Sequence, residues 1–248
     1  MPESYLLVDN SNTRTKFALV SGGRIRDVRV LNTADITEER VQSLLEDWHF
    51  ARVGICSVVP HAAEQISRAC PGAKVEVLTP FVPTQVDFSA YAGVCSLGAD
   101  RVANVLAAVQ GQVFPVVAVD LGTATTFDVV VEQNGKVCFI GGVIAPGMAA
   151  FAASLNGRTA LLPEMEPADQ GPVIGTSTKE AMAAAVRVGY PALVDGILDE
   201  IEKELGKVVH VVLTGGDAAM VALRLRHDYR IEPLLTLNGI AQAFGMYT

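Results

Sequence analysis

Apolar positions along the chain fall into short runs and helical stripes separated by polar turns. Residues 5–8 and 17–20 are apolar runs of strand length around a polar turn, which predicts a hairpin. Val41, Leu44, Leu45 and Trp48 recur at helical spacing and predict an amphipathic helix, with Asp35 and Glu38 as a capping pair. Residues 52–59 read as a buried strand ended by Pro60, and 74–78 as another. Val102, Val105, Leu106 and Val109 repeat the helical stripe, so a helix begins near Gly98-Ala99-Asp100-Arg101. Residues 115–119 and 127–131 predict a second hairpin. Ser177 with Glu180 fits a capping box before a helix over 181–188; Pro191 interrupts it and 192–205 continue it. Residues 208–213 form a strand stopped by Gly215-Gly216. Strands alternating with helices predict an α/β protein.

One pattern occurs twice. Val8-Asp9-Asn10-Ser11-Asn12-Thr13, followed by Phe17, resembles Val119-Asp120-Leu121-Gly122-Thr123-Ala124-Thr125, followed by Phe127. Each is an apolar strand, an Asp, a small-residue turn bearing hydroxyls, then a second apolar strand. Two unrelated hairpins would also produce such a match. A duplication predicts two related halves, 1–112 and 113–248.

Composition narrows the class. Half of the 248 residues are hydrophobic and 19% are charged, with a mean hydropathy of +0.34, so the chain can bury a large core and is not globally disordered. Aromatics are only 6%, which leaves the core to Val, Ala, Leu and Ile. A net charge of −8 argues against a general nucleic-acid binder but leaves room for a local anion pocket. Met1-Pro2-Glu3-Ser4-Tyr5 lacks a basic and then apolar leader, and no run approaches the roughly 18 apolar residues of a membrane span. Cys56, Cys70, Cys95 and Cys138 form no CxxC pair, which suits free thiols of a reducing compartment. The expectation is a soluble cytoplasmic protein that contacts neither nucleic acid nor membrane.

The P-loop, GxGxxG, HExxH and GxSxG motifs are absent. The paired Asp turns remain. Backbone N–H groups and hydroxyls of such turns can meet phosphate oxygens, and a strand-end Asp can hold a cation directly or through water. Two such turns facing each other would clamp a triphosphate. His49, His61, His210 and His227 show no ligand spacing, and His210 reads as a satisfied strand histidine. Trp48 reads as core, and Glu200, Glu202, Glu204, Lys203 and Lys207 as a solvated helix face.

The chain also resembles the type III pantothenate kinases, within the fold shared by actin, hexokinase and chaperone ATPases. The resemblance rests on the two Asp turns together with Ser57-Val58-Val59-Pro60, Tyr91 with Gly98-Ala99-Asp100-Arg101, Gly141-Gly142 through Pro146-Gly147, Thr178 before Glu180-Ala181-Met182, Thr214-Gly215-Gly216 and Leu237-Asn238-Gly239. It implies duplicated ribonuclease-H-like halves with mixed sheets flanked by helices. It implies ATP-dependent phosphorylation of pantothenate, the first step of coenzyme A synthesis, by a homodimer using Mg²⁺ and either K⁺ or NH₄⁺.

Residue by residue, the resemblance puts a first phosphate loop on Asp9, Asn10, Ser11, Asn12, Thr13, Arg14, Thr15 and Lys16, and an ATP contact on Thr123. Asp9 would reach Mg²⁺ through water, and Asp120 would bind the monovalent cation. Asp100 matches the general base. Tyr91, Gly98, Ala99, Asp100, Arg101 and Thr178 match substrate positions. Taken alone, Asp100 also suits a helix-start acid and Arg101 a salt-bridged helix arginine. Two departures stand out: Ser11 replaces a usual Gly, which would strain the first phosphate loop, and Val94 a frequent Pro, which would loosen the loop holding Tyr91. The rival readings are another small-molecule kinase of this fold and a catalytically weak nucleotide-binding regulator.

Overall fold

The computed structural model describes residues 4–156 and 170–246; Met1, Pro2 and Glu3, read above for a leader, lie outside them. The first strand, β1 (Ser4–Asn10), is buried along nearly its whole length, as a strand covered on both faces must be. It pairs antiparallel with β2 (Arg14–Ser21), which pairs with β3 (Arg24–Asn32). Helix α1 (Glu38–Leu45) leads to β4 (Arg52–Ser57), parallel to β1, and α2 (Pro60–Arg68) to β5 (Lys74–Val77), parallel to β4. The sheet order is β3-β2-β1-β4-β5. After the short β6 (Val86–Asp87) comes α3 (Ala99–Ala108).

The same plan recurs. Strand β7 (Val116–Leu121) pairs antiparallel with β8 (Ala124–Gln133), which turns through Asn134 and Gly135, both at positive φ, into β9 (Lys136–Pro146). Helices α4 (Met148–Asn156), α5 (Thr178–Ala184) and α6 (Tyr190–Leu205) precede β10 (His210–Thr214), parallel to β7. Then come α7 (Ala218–Ala222), β11 (Tyr229–Ile231) and α8 (Leu235–Ala243). The order β9-β8-β7-β10-β11 repeats that of the first sheet strand for strand. Residues 136–139 of β9 lie in the first unit, where Val137 and Cys138 pair with β6.

The compact units do not follow the linear division at 112. One comprises the described residues up to Gln110, Gln133–Phe139, and those from Leu234 onward; the other comprises Gly111–Glu132 and the described part of Ile140–Pro233. The C-terminal helix joins the first unit because α8 lies against α3 at backbone contact. A Cβ at Gly239 would sit 1.9 Å from the Ala103 carbonyl oxygen. Thr236 Oγ1 also donates to buried Asn104 at 2.8 Å. Each unit has its own core, Leu6, Val8, Phe17, Ile55 and Ile66 in one and Val117, Val119, Phe127, Tyr190 and Leu213 in the other.

Several local expectations change. Thr37, not Asp35, caps α1, its hydroxyl accepting from Arg40 N–H, because Asp35 ends a preceding 3₁₀ turn. Pro60 opens a helix rather than merely ending a strand, since the first helical position needs no N–H. Pro191 does not break the longest helix among the described residues. The turn at Ala185–Gly189 widens to π geometry first, and Pro191 falls in the first turn of α6. The whole stretch Thr178–Leu205 is 28 residues, long and apolar enough to cross a membrane, yet its stripe of Val186, Tyr190, Val194 and Leu198 packs into the second unit's core. His210 is exposed at the start of β10 rather than satisfied inside it. Glu202 leaves the solvated face to accept from Val209 N–H at 2.9 Å.

His227, read as bland, stands in a charged cluster. Its Nδ1 lies 2.8 Å from the carboxylate of Asp195, which is 2% exposed and accepts from the Arg226 N–H and guanidinium as well. Burial alone would push the Asp195 carboxyl up, but the His227 and Arg226 hydrogen bonds together hold it below its ordinary value. A depressed carboxyl contributes stability above its unfolded pKa of about 3.9 and loses it as pH falls below that. Asp195→Asn is therefore expected to cost about 1–3 kcal/mol at pH 7, with the difference from wild type shrinking toward pH 3. Urea unfolding across that range measures it; a difference that does not change with pH would remove the ionic explanation.

Candidate active site

In the first unit, β1 delivers Asp9 to the end of the sheet and the chain turns back at Ser11–Thr13. Asp9 is 4% exposed. Its carboxylate accepts from Ser11 Oγ at 2.8 Å and faces Lys16 Nζ at 3.5 Å, Lys16 being its register partner on β2. Burial raises its pKa, opposed by Lys16 and Ser11, while the nearby Asp100 charge adds to the rise. A buried carboxylate raised in this way gains from a cation beside it.

The first loop divides into two parts. Asn12, Thr13 and Arg14 are exposed at the turn. Asn10 and Thr15, expected at the phosphates, point their side chains inward instead. Asn10 donates to Thr15 Oγ1 at 2.7 Å and accepts from Ser57 Oγ at 2.6 Å, and Thr15 also bonds to Thr33. Thr33 in turn donates to Ser11 O. These two side chains brace the loop, because β1 and β2 are central strands whose alternate positions face the interior. Ser11 is not strained: among the described non-glycine residues only Asn134 has positive φ, so Ser11 needs no glycine conformation. Its Cβ instead carries the hydroxyl that holds Asp9.

Helix α3 supplies the second part of this unit's site. Asp100 lies in its first turn, where Oδ1 accepts from Arg101 N–H at 2.8 Å. A Cβ at Gly98 would sit 2.4 Å from that oxygen, so a side chain there would push the Asp100 carboxylate out of its present position. Ala99 is buried as the first helical residue. Arg101 is 9% exposed, with its guanidinium 5.9 Å from the Tyr91 ring centre and 5.7 Å from that of Phe139. Tyr91 meets Phe139 edge-on at 5.2 Å. Phe139 had no sequence signal beyond an apolar strand position. Val94 does not loosen the loop: its N–H donates to Tyr91 O at 3.0 Å, a bond proline could not make.

In the second unit, Asp120 lies opposite Thr126 on β8 and Thr214 on β10, matching the placement of Asp9 between β2 and β4. Thr123 is exposed at the turn. Thr125 is buried against Tyr190, with which its hydroxyl shares a hydrogen bond. Two glycines press on this turn. A Cβ at Gly147 would sit 2.1 Å from Gly122 O, and one at Gly215, where φ is +95°, 2.4 Å from Leu121 O. Asp217 N–H donates to Leu121 O at 3.0 Å. Two backbone segments, at Gly147 and at residues 215–217, therefore converge on one turn. Thr178 is exposed as the first residue of α5; Ser177 caps it, and Glu180 reaches back to Thr176 N–H and Oγ1 at 2.7 Å.

Among the described residues no three His, Cys, Asp or Glu side chains group closely enough to hold a metal by themselves. Single strand-end carboxylates fit a hard cation that keeps water and phosphate oxygens as its other ligands.

A repeated five-stranded unit, each copy carrying an Asp next to the end of its first strand before a hydroxyl-bearing turn, has the ATPase fold of actin and hexokinase. Solved structures share it: a glucokinase from an Antarctic psychrotroph matches with a TM-score of 0.54 at 10% identity, over 99% of this chain and 100% of that one. A ROK family glucokinase from Streptomyces griseus, in complex with glucose and AMPPNP, matches at 0.53 and 11%, over 100% and 99%. The family model for type III pantothenate kinase matches residues 5–200. The type III pantothenate kinase of Akkermansia muciniphila is 40% identical over 98% of this chain and 99% of its own, and that of Methylacidiphilum infernorum 36% identical over 95% and 86%. The chain belongs to the type III pantothenate kinase family.

Proposed function

We propose that this protein transfers the γ-phosphoryl group of ATP to the primary hydroxyl of pantothenate, giving 4′-phosphopantothenate for coenzyme A synthesis. The observation that carries this reading is the Asp100 carboxylate, held at a helix start over Gly98 and close enough to Asp9 for their charges to interact. Phosphoryl transfer needs positioning and charge neutralisation more than covalent chemistry. Asp100 orients the acceptor hydroxyl and takes its proton, and Arg101 pairs with the pantothenate carboxylate beside Tyr91. The exposed turn residues of the first loop and Thr123 of the second bind phosphate oxygens through backbone N–H and hydroxyl groups. Asp9 would hold Mg²⁺ through water, and the ion would neutralise phosphate charge. We further propose that Thr178 contacts pantothenate, that Asp120 binds K⁺ or NH₄⁺, and that the enzyme works as a homodimer in the cytoplasm.

An ATP-dependent assay for phosphopantothenate, run against sugars and acetate as competing acceptors, tests the reading. Phosphorylation of a sugar but not of pantothenate would sink it, and tight ATP binding without turnover would favour the regulatory rival. With saturating ATP and Mg²⁺, K⁺ or NH₄⁺ is expected to raise the rate well above that in Na⁺ or Tris alone, because a strand-end carboxylate is a hard-oxygen ligand. Equal rates in all four buffers would remove Asp120 as a monovalent-cation ligand.

A further inference from the structure

Arg187 sits in the π turn between α5 and α6 and is 5% exposed. Its Nη1 donates to Gln170 O at 3.4 Å and its Nη2 to Pro172 O, while Nε is buried without a partner. Among the described residues no carboxylate pairs with it. A buried guanidinium needs its N–H groups satisfied, and here two backbone carbonyls do so for Nη1 and Nη2. The fork has a matched receptor. Gly171 lies between the two carbonyls with φ +139°, and a Cβ there would sit 3.1 Å from Nη1.

The segment so held runs straight into α5. Its apolar residues do not anchor it, since Val173 and Ile174 are 65% and 86% exposed. Its other fastenings are close to the helix: Gly175 packs on the Ala181 and Glu180 backbone, and Glu180 holds Thr176. Among the described residues, the side chain that fastens the far end is Arg187. We infer that Arg187 is a positioning residue, whose fork straps residues 170–172 onto the helix that begins at Thr178 and thereby sets the affinity for pantothenate. This rests on the proposed contact between Thr178 and pantothenate.

The test uses the full-length protein with Arg187→Met, Arg187→Lys and Gly171→Ala, measuring initial rates with each substrate varied, alongside thermal melts. Arg187→Met removes the fork and keeps the stem; Arg187→Lys keeps charge without the fork; Gly171→Ala attacks the receptor and leaves the arginine. All three are expected to raise KM for pantothenate about tenfold while kcat and KM for ATP stay within about threefold. A pantothenate KM unchanged in folded Arg187→Lys and Gly171→Ala, or a lowered melt with no change in KM, overturns the strap. Thr178→Ala separates the two readings. If it raises the pantothenate KM and Arg187→Met does not, the strap falls and the contact stands. If it leaves that KM unchanged, the contact falls and the strap with it.

Discussion

Asp100→Asn is expected to lower kcat by at least about 100-fold with ATP binding intact, because general-base catalysis contributes about 10²–10⁴-fold. The substitution is nearly isosteric, and an asparagine Oδ1 can still accept from Arg101 N–H as Asp100 does at 2.8 Å. The helix start over Gly98 is therefore preserved and only the proton acceptor is lost. Arg101→Ala separates recognition from chemistry. It removes a charge-assisted contact to a part of pantothenate that does not react, so it should act mainly on the pantothenate KM. The Arg101 side chain also fills space beside Tyr91 and Phe139, so its melt should fall too. Steady-state rates, ATP titration and thermal melts on both variants give the comparison. Near-normal kcat in a folded Asp100→Asn protein would make Asp100 a helix-start residue and send the search for the base elsewhere.

Gly147→Ala should damage nucleotide use more than its single methyl suggests. The new Cβ would lie 2.1 Å from Gly122 O and 2.5 Å from Thr123 O, and both neighbours are backbone. Neither can rotate away, so the turn itself must shift. A displacement near 1 Å at a phosphate-binding turn costs on the order of 100-fold in kcat/KM, read here in ATP, while overpacking costs about 1–3 kcal/mol of stability. Pantothenate affinity in the absence of nucleotide should survive. A folded Gly147→Ala protein with an unchanged KM for ATP would show that the second turn does not hold the nucleotide.

Much of this architecture is legible in the chain because its signals are local. The two hairpins follow from apolar runs around turn-forming residues, and their repetition foretells the repeated strand order. The Ser177 cap follows from side chains that satisfy free helix N–H groups a few residues away, as its bond from Glu180 N–H bears out. Even so, neighbouring signals compete, as Thr37 displacing Asp35 at α1 shows.

What the sequence by itself determined, then, is the type of those elements with a clear apolar period, the duplicated Asp turns and the type III pantothenate kinase motifs, since these reside in residues close together along the chain. Only the tertiary structure decided what depends on distant segments meeting. It turned Asn10 and Thr15 inward toward Ser57 and Thr33, and it placed α8 with the first unit through Gly239 against Ala103. It also set Phe139 beside Tyr91 and Arg101, and Asp195 beside His227. A strand's period tells which residues share a face, but not which strand or helix will cover that face. That is chosen by register and close packing across the whole chain.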